Sequence, residues 1–355
     1  MDNLEKIRSL LSDDLTAVLL TGEASRRYAS GVDVDEGMCL ISAEKAWYFT
    51  DGRYLETAQN QLQERMEVLR VTGSHTYSMR ISEVLESCGI DKVGIEEENL
   101  TYGAYSRLAS SLPASLIPCQ RKLDALRHSK AAWEQTLMRQ AQALADGVFS
   151  EMLSVIREGM TEKELEAELI YRLYRAGAED LSFPPIVVSG PNGSLPHGKA
   201  GSRRLQAGDF ITMDFGIIKN GYCSDMTRTV ALGHATEKMR KVYDTVLRAQ
   251  LAGIAATRAG VSGAQVDAAA REVIAAAGYG AFFCHSYGHS LGLEIHEAPN
   301  CSPANHLPLP AGAVISAEPG IYLPGELGVR IEDVVIVTES GCENITGSPK
   351  ELIIL

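Results

Sequence analysis

Two stretches of this chain, 101 residues apart, carry one pattern. Arg157-Glu-Gly-Met-Thr161-Glu-Lys-Glu164 leads a helical sequence that stops at Gly177, and Arg258-Ala-Gly-Val-Ser262-Gly-Ala-Gln265 leads one that stops at Gly278. Both open on a capping box: a Thr or Ser hydroxyl accepts from the amide three residues on, and Glu164 or Gln265 reaches back to the cap amide. Both close on a glycine, suited to a left-handed C-cap. Each follows a long amphipathic pattern, about 130–157 and, after Thr236, about 237–258, and each precedes strand-like segments. Two helices and then strands, given twice, predict two related α/β halves. Packed about a pseudo-twofold axis, their strands would line one central cleft. Chance likeness between two helix starts is the alternative.

The chain ahead of the repeat reads differently. Short apolar strands, such as 16–20 and 46–50, mix with helical stretches around 54–64 and 102–111, as in a small α/β domain. Pro113 and Pro118 bracket a short hydrophobic piece, and Ser129 precedes a helical pattern through Ile156, which sets the boundary between 120 and 130. A chain of 355 residues exceeds the usual single core, so two domains are expected, 1–123 and 124–355.

Composition narrows the function. Hydrophobic residues make up 45% and charged ones 22%, a globular balance rather than a disordered one. A net charge of -13 repels phosphate backbones and anionic lipid, and no basic run offsets it, so neither nucleic acid nor membrane is an expected partner. The opening Met1-Asp2-Asn3-Leu4-Glu5-Lys6 lacks the order of a signal peptide, and no apolar stretch approaches the ~20 residues of a membrane span; a cytoplasmic protein is expected. The seven cysteines, odd in number and without CxxC pairs, read as reduced thiols.

The chemistry gathers in two regions. Strand-like runs 209–218 and 222–231 meet at Asn220-Gly221, a strong hairpin signal. With those two residues as the turn, Lys219 faces Tyr222, Gly216 faces Asp225 and Asp214 faces Thr227. Asp214 and Asp225 then become diagonal neighbours on one face, roughly 7 to 8 Å apart at Cα, with Gly216 leaving space. Two carboxylates on a buried face repel unless one is protonated or a cation lies between them. One of them exposed, or paired with Arg228, is the alternative, and a three-residue loop would put them on opposite faces.

Farther on, His285, His289 and His296 place three of the chain's eight histidines within twelve residues, among glycines. That setting favours a site over a core strand, since imidazole serves as metal ligand and as acid or base. Glu318 ends the apolar run Val314-Ile-Ser-Ala. In 328–337, alternation puts Arg330 and Glu332 on one face, with Val329 and Ile331 on the other. Charge inside such apolar runs is costly unless paired or metal-bound; an exposed Arg330–Glu332 pair on an edge strand is the alternative.

Taken with their flanks, Met-Asp214-Phe-Gly, Ser-Asp225-Met-Thr-Arg-Thr, Gly-His289-Ser-Leu-Gly-Leu-Glu-Ile-His296-Glu and Glu318-Pro-Gly-Ile-Tyr, these residues resemble the M24 metallopeptidases of the pita-bread fold, and most of all their prolidase and aminopeptidase P branch. Residues 1–123, including Phe49-Thr-Asp-Gly-Arg-Tyr54, resemble the creatinase-type N-terminal domain of that branch. The resemblance implies an α/β (α+β) chain: a creatinase-type α/β domain, then a pita-bread catalytic domain with an internal pseudo-twofold repeat. It implies two divalent metal ions, Mn²⁺ with Co²⁺ or Zn²⁺ as options. Asp214 would chelate one, His289 and Glu318 the other, with Asp225 and Glu332 bridging.

The implied reaction is hydrolysis of an Xaa-Pro bond by metal-activated water, in a homodimer acting on small peptides with proline second. Glu318 would carry the proton, His197 and His296 would contact substrate as catalytic residues, and His285, Arg330, Phe183 and Ile186 would line the substrate site. The loop after His197 departs from the family pattern at Gly198-Lys199-Ala200. An M24 aminopeptidase of other specificity, or a non-catalytic pita-bread peptide-binding module, is the alternative.

Overall fold

A computed structural model of the chain describes residues 2–355, and both capping boxes form in it. Thr161 Oγ1 accepts from Glu164 N at 3.1 Å while Glu164 Oε2 accepts from Thr161 N at 2.7 Å. Ser262 and Gln265 repeat the exchange at 3.3 and 3.0 Å. The helices they start, Glu162–Arg175 and Gly263–Ala276, each span 14 residues. Gly177 and Gly278 follow at φ 102° and 86°, and one closing bond recurs: Ala178 N donates to Leu173 O, and Tyr279 N to Ile274 O.

The long patterns ahead of them form the helices Ala132–Met152 and Glu237–Ala256. Thr236 caps the second, accepting from Met239 N at 3.3 Å. The first is shorter than expected at both ends. Ser129 is not its cap: that hydroxyl donates to Ala311 O, and Glu134 takes the Ala131 amide instead. At the other end, bonds three residues long through Val155 redirect the chain and bury Ile156 and Met160 in the core of the first half.

Each helix pair buries its apolar stripe against its own half's strands. Ala141, Ala145, Val148, Phe149 and Met152, spaced three and four apart, join Leu165 and Leu169 over Met213, Phe215 and Val230. Val242, Val246 and Ala249, with Val266, Ala270 and Ile274, do the same over Ile315 and Val335. Burying one such side chain stabilises by about 1.5–3 kcal/mol, so these cores outweigh the cap bonds.

In the first half Met226–Ala231, Phe210–Phe215 and Ile186–Ser189 form an antiparallel sheet, while Tyr222–Cys223, Ile217–Lys219 and Asp180–Leu181 form a second. In the second half Glu297–Cys301, Gly288–Ser290, Val314–Ala317, Asp333–Val337 and Cys342–Asn344 pair in that order. The run 328–337, expected as one strand, is divided between two sheets. Leu327–Arg330 pairs with Gly320–Leu323, and Asp333–Val337 with Val314–Ala317. The crossing at Ile331-Glu332 is satisfied from elsewhere: Glu332 N donates to Thr227 O, and the Arg228 guanidinium donates to Glu332 O.

These halves make up one compact unit, His128–Leu355; the residues up to Arg127 form another. The N-terminal unit carries a six-stranded mixed sheet in the order Glu67–Arg70, Ala46–Thr50, Met38–Ser42, Ala17–Leu20, Lys92–Ile95, Ser115–Pro118. Helices pack on it through Leu19, Trp47, Phe49, Ile81 and Leu85. Among the described residues no helix is long and apolar enough to cross a membrane. All seven cysteines are free thiols, four of them buried.

Candidate metal centre

Asn220 and Gly221 both take positive φ, 49° and 76°, so the hairpin turns on two residues as expected. Lys219 pairs with Tyr222, and Asp214 with Thr227. Gly216 serves a different end from the one expected. A Cβ there would stand 1.9 Å from Ser224 O and 2.2 Å from Ser182 Oγ, so the glycine admits a neighbouring backbone rather than leaving room for a ligand. Ile186, Asp214 and Thr227 form one cross-strand row.

Asp225, His289 and Glu332 converge, each offering a ligand atom within 4.8 Å of the others. Glu318, just past the strand Val314–Ala317, joins through His289, whose Nε2 lies 3.3 Å from Glu318 Oε1 and 3.6 Å from Asp225 Oδ2. Asp214 is not among those three; its Oδ2 accepts from Arg330 Nη2. Thr227 ties the parts together. Its hydroxyl donates to Glu332 Oε2 at 2.7 Å and accepts from Arg330 Nε at 3.1 Å. Neither aspartate pairs with Arg228, which is bound to Asp333 at 2.7 Å.

Burial, then repulsion from Asp214 and Glu318, pushes the Asp225 carboxyl well above the usual carboxylate range; burial and then Asp225 do the same to Glu332. Burial also raises Glu318. The same desolvation lowers His289, so its ring is neutral at pH 7. With Nδ1 at 3.2 Å from Ser290 O, the tautomer that donates there leaves an Nε2 lone pair facing two carboxylates. Among the described residues, Asp214 Oδ1, Asp225 Oδ1 and Glu332 Oε1 are buried and find no hydrogen-bond partner. Acceptors facing acceptors in a buried space fit a cation, and oxygen with one imidazole fits a divalent one.

The remaining candidate residues surround this group. The His296 ring packs edge-on against His289, with centroids 4.4 Å apart. Both nitrogens of His285 are engaged: Nδ1 at 2.8 Å from Ser286 O, and Nε2 at 2.9 Å from Tyr322 Oη. Tyr322 Oη accepts in turn from Arg330 Nη1 at 2.7 Å. Arg330 is therefore a buried brace on Asp214, Thr227 and Tyr322, not the exposed partner of Glu332. His197 is exposed and Phe183 is half-buried. Sequence reasoning passed over Thr227, Tyr322 and Ser316, whose hydroxyl donates to Glu318 Oε1 at 2.9 Å. Thr227 lies two residues beyond Asp225, and that spacing was a usable signal.

Residues 136–339 match the model of metallopeptidase family M24, and residues 4–129 match that of the creatinase/prolidase N-terminal domain. The chain belongs to metallopeptidase family M24. It is similar to the Xaa-Pro dipeptidase of Pyrococcus furiosus, 41% identical over 358 residues that cover 99% of each chain. Among solved structures it resembles an Xaa-Pro dipeptidase from Bacillus anthracis (TM-score 0.95, 41% identity, 100% of this chain and 99% of that one). It also resembles an X-Pro aminopeptidase from Thermotoga maritima (TM-score 0.93, 35% identity, all of both chains). The chain is thus a peptide hydrolase of a divalent-metal family, and its buried carboxylate and imidazole group is of the kind such an ion requires.

Proposed function

We propose that the chain hydrolyses the Xaa-Pro bond at the N-terminus of short peptides, with two divalent ions held by Asp214, Asp225, His289, Glu318 and Glu332. The observation that carries this reading is His289 Nε2 at 3.3 Å from Glu318 Oε1 and 3.6 Å from Asp225 Oδ2, beside three buried carboxylate oxygens that have no hydrogen-bond partner among the described residues. Asp214, through its partnerless Oδ1, and Asp225, Glu332, His289 and Glu318 would hold the ions. Mn²⁺ is the ion proposed, with Co²⁺ or Zn²⁺ suiting the same ligands. When bound, the ions supply a Lewis acid for the scissile carbonyl and an activated water.

The chain's own residues do the rest. Glu318, its proton affinity raised by burial, accepts a proton and returns it to the leaving nitrogen, while Ser316 holds Oε1 in place. His296, kept neutral by burial, and His197 contact the substrate carbonyl. His285 steadies Tyr322, and Arg330 holds Asp214. Phe183 and Ile186, the latter directly across from Asp214, offer apolar surface to a pyrrolidine ring. The names of the similar proteins support the proline preference.

The test is hydrolysis of an Xaa-Pro dipeptide, an Xaa-Pro-Yaa tripeptide and an Xaa-Ala dipeptide with Mn²⁺ supplied. Cleavage of the proline peptides alone is expected. Activity on the dipeptide only marks a dipeptidase, and rapid tripeptide cleavage marks an aminopeptidase. Equal rates on Xaa-Ala would remove the proline preference.

A further inference from the structure

Lys130 lies outside every group described so far, yet its side chain is 2% exposed and its ammonium contacts two strands, Gly288–Ser290, which carries His289, and Glu297–Cys301, which begins just after His296. Nζ lies 3.0 Å from Glu297 Oε2 and donates to Ser290 Oγ at 3.0 Å. Ser290 and Glu297 are cross-strand partners, placed opposite each other by a register shift between His289 and Ser290. Each is the chain neighbour of a site histidine: Ser290 of His289, and Glu297 of His296.

The bonds around this pair leave little freedom. Ser290 Oγ donates its one proton to Val314 O at 2.7 Å, so toward Lys130 it accepts. The Ser290 carbonyl is the oxygen beside His289 Nδ1. Glu297 Oε1 accepts from Leu293 N at 3.0 Å and Glu294 N at 3.2 Å, folding the loop 291–296 back on itself. One cation therefore holds both ends of the loop that separates the two imidazoles.

A buried ion pair contributes little net stability over an apolar replacement, so its effect is better sought in the geometry it enforces. Outer partners of this sort fix the ring orientation of metal-binding histidines. We propose that Lys130 is a positioning residue for the metal centre: through Ser290 and Glu297 it sets the His289 ring for coordination and the His296 ring beside it. This rests on the reading of His289 as a ligand.

The test compares Lys130→Met, the charge-free pair Lys130→Met with Glu297→Gln, and His289→Ala, each metal-stripped and shown folded by circular dichroism. Mn²⁺ affinity is measured by calorimetry, and the visible spectrum is recorded with Co²⁺ as probe. The double variant removes the Glu297 charge together with that of Lys130 and keeps the test valid if Lys130→Met alone does not fold. A loss of Mn²⁺ affinity of about 10- to 100-fold, with a shifted Co²⁺ spectrum in the double variant, is expected. Affinity and spectrum unchanged there, while His289→Ala weakens binding, would overturn the role of Lys130 alone. Unchanged binding in His289→Ala would overturn the ligand reading beneath it.

Discussion

Thr227 joins the site's parts through one hydroxyl, donating to Glu332 and accepting from the arginine that holds Asp214. That arrangement separates residues that carry charge from those that place it. Glu318 is a carrier: Glu318→Gln keeps the shape and removes the base, so turnover is expected to vanish while at least one ion stays bound. Retention of more than about a tenth of activity, a barrier change under about 1.4 kcal/mol, would take Glu318 out of that role. Arg330 is a placer. In the metal-free protein Arg330→Met strands the buried Asp214 carboxylate, and urea unfolding is expected to show a loss of roughly 3–5 kcal/mol. Adding Asp214→Asn should recover most of it, and a double variant no more stable than Arg330→Met would contradict the pairing. The two-residue turn and the register that sets Asp214 opposite Thr227 were legible from the Asn-Gly signal. The partner of Arg330 was not, because alternation gives a face and never says which chain segment covers it.

The hairpin holding both aspartates depends at the element scale on Gly216, where the Ser224 carbonyl occupies the place of a side chain. Gly216→Ala must displace backbone, so a loss at the upper end of about 1–3 kcal/mol is expected, with weaker Mn²⁺ binding as Asp225 moves. An unchanged urea midpoint and unchanged affinity would show that the strands tolerate the methyl group. Elements set by local bonds were readable in advance: both capping boxes, Thr236 and the Asn-Gly turn are decided within a few residues. The division of 328–337 was not. Its break at Ile331-Glu332 is stabilised by Thr227 and Arg228, about a hundred residues away in sequence. The misplaced helix start has a similar origin, since Ser129 gives its hydroxyl to Ala311.

Across the whole chain, the repeat explains why a site exists where it does. Each half has its own helix pair and core, and the five candidate ligands come from both: Asp214 and Asp225 from the first, His289, Glu318 and Glu332 from the second. Asp225 of the first half lies with His289, Glu318 and Glu332 of the second, a meeting that periodicity within either half cannot state. The family's motifs supplied that information in advance for His289 and Glu318. The central claim, that this meeting point binds a catalytic pair of ions, is tested most directly by adding Mn²⁺ stepwise to metal-stripped protein while following the release of proline from an Xaa-Pro dipeptide. The rate is expected to start near zero and level off at two ions per chain; full hydrolysis without metal, or none with two ions bound, would contradict it.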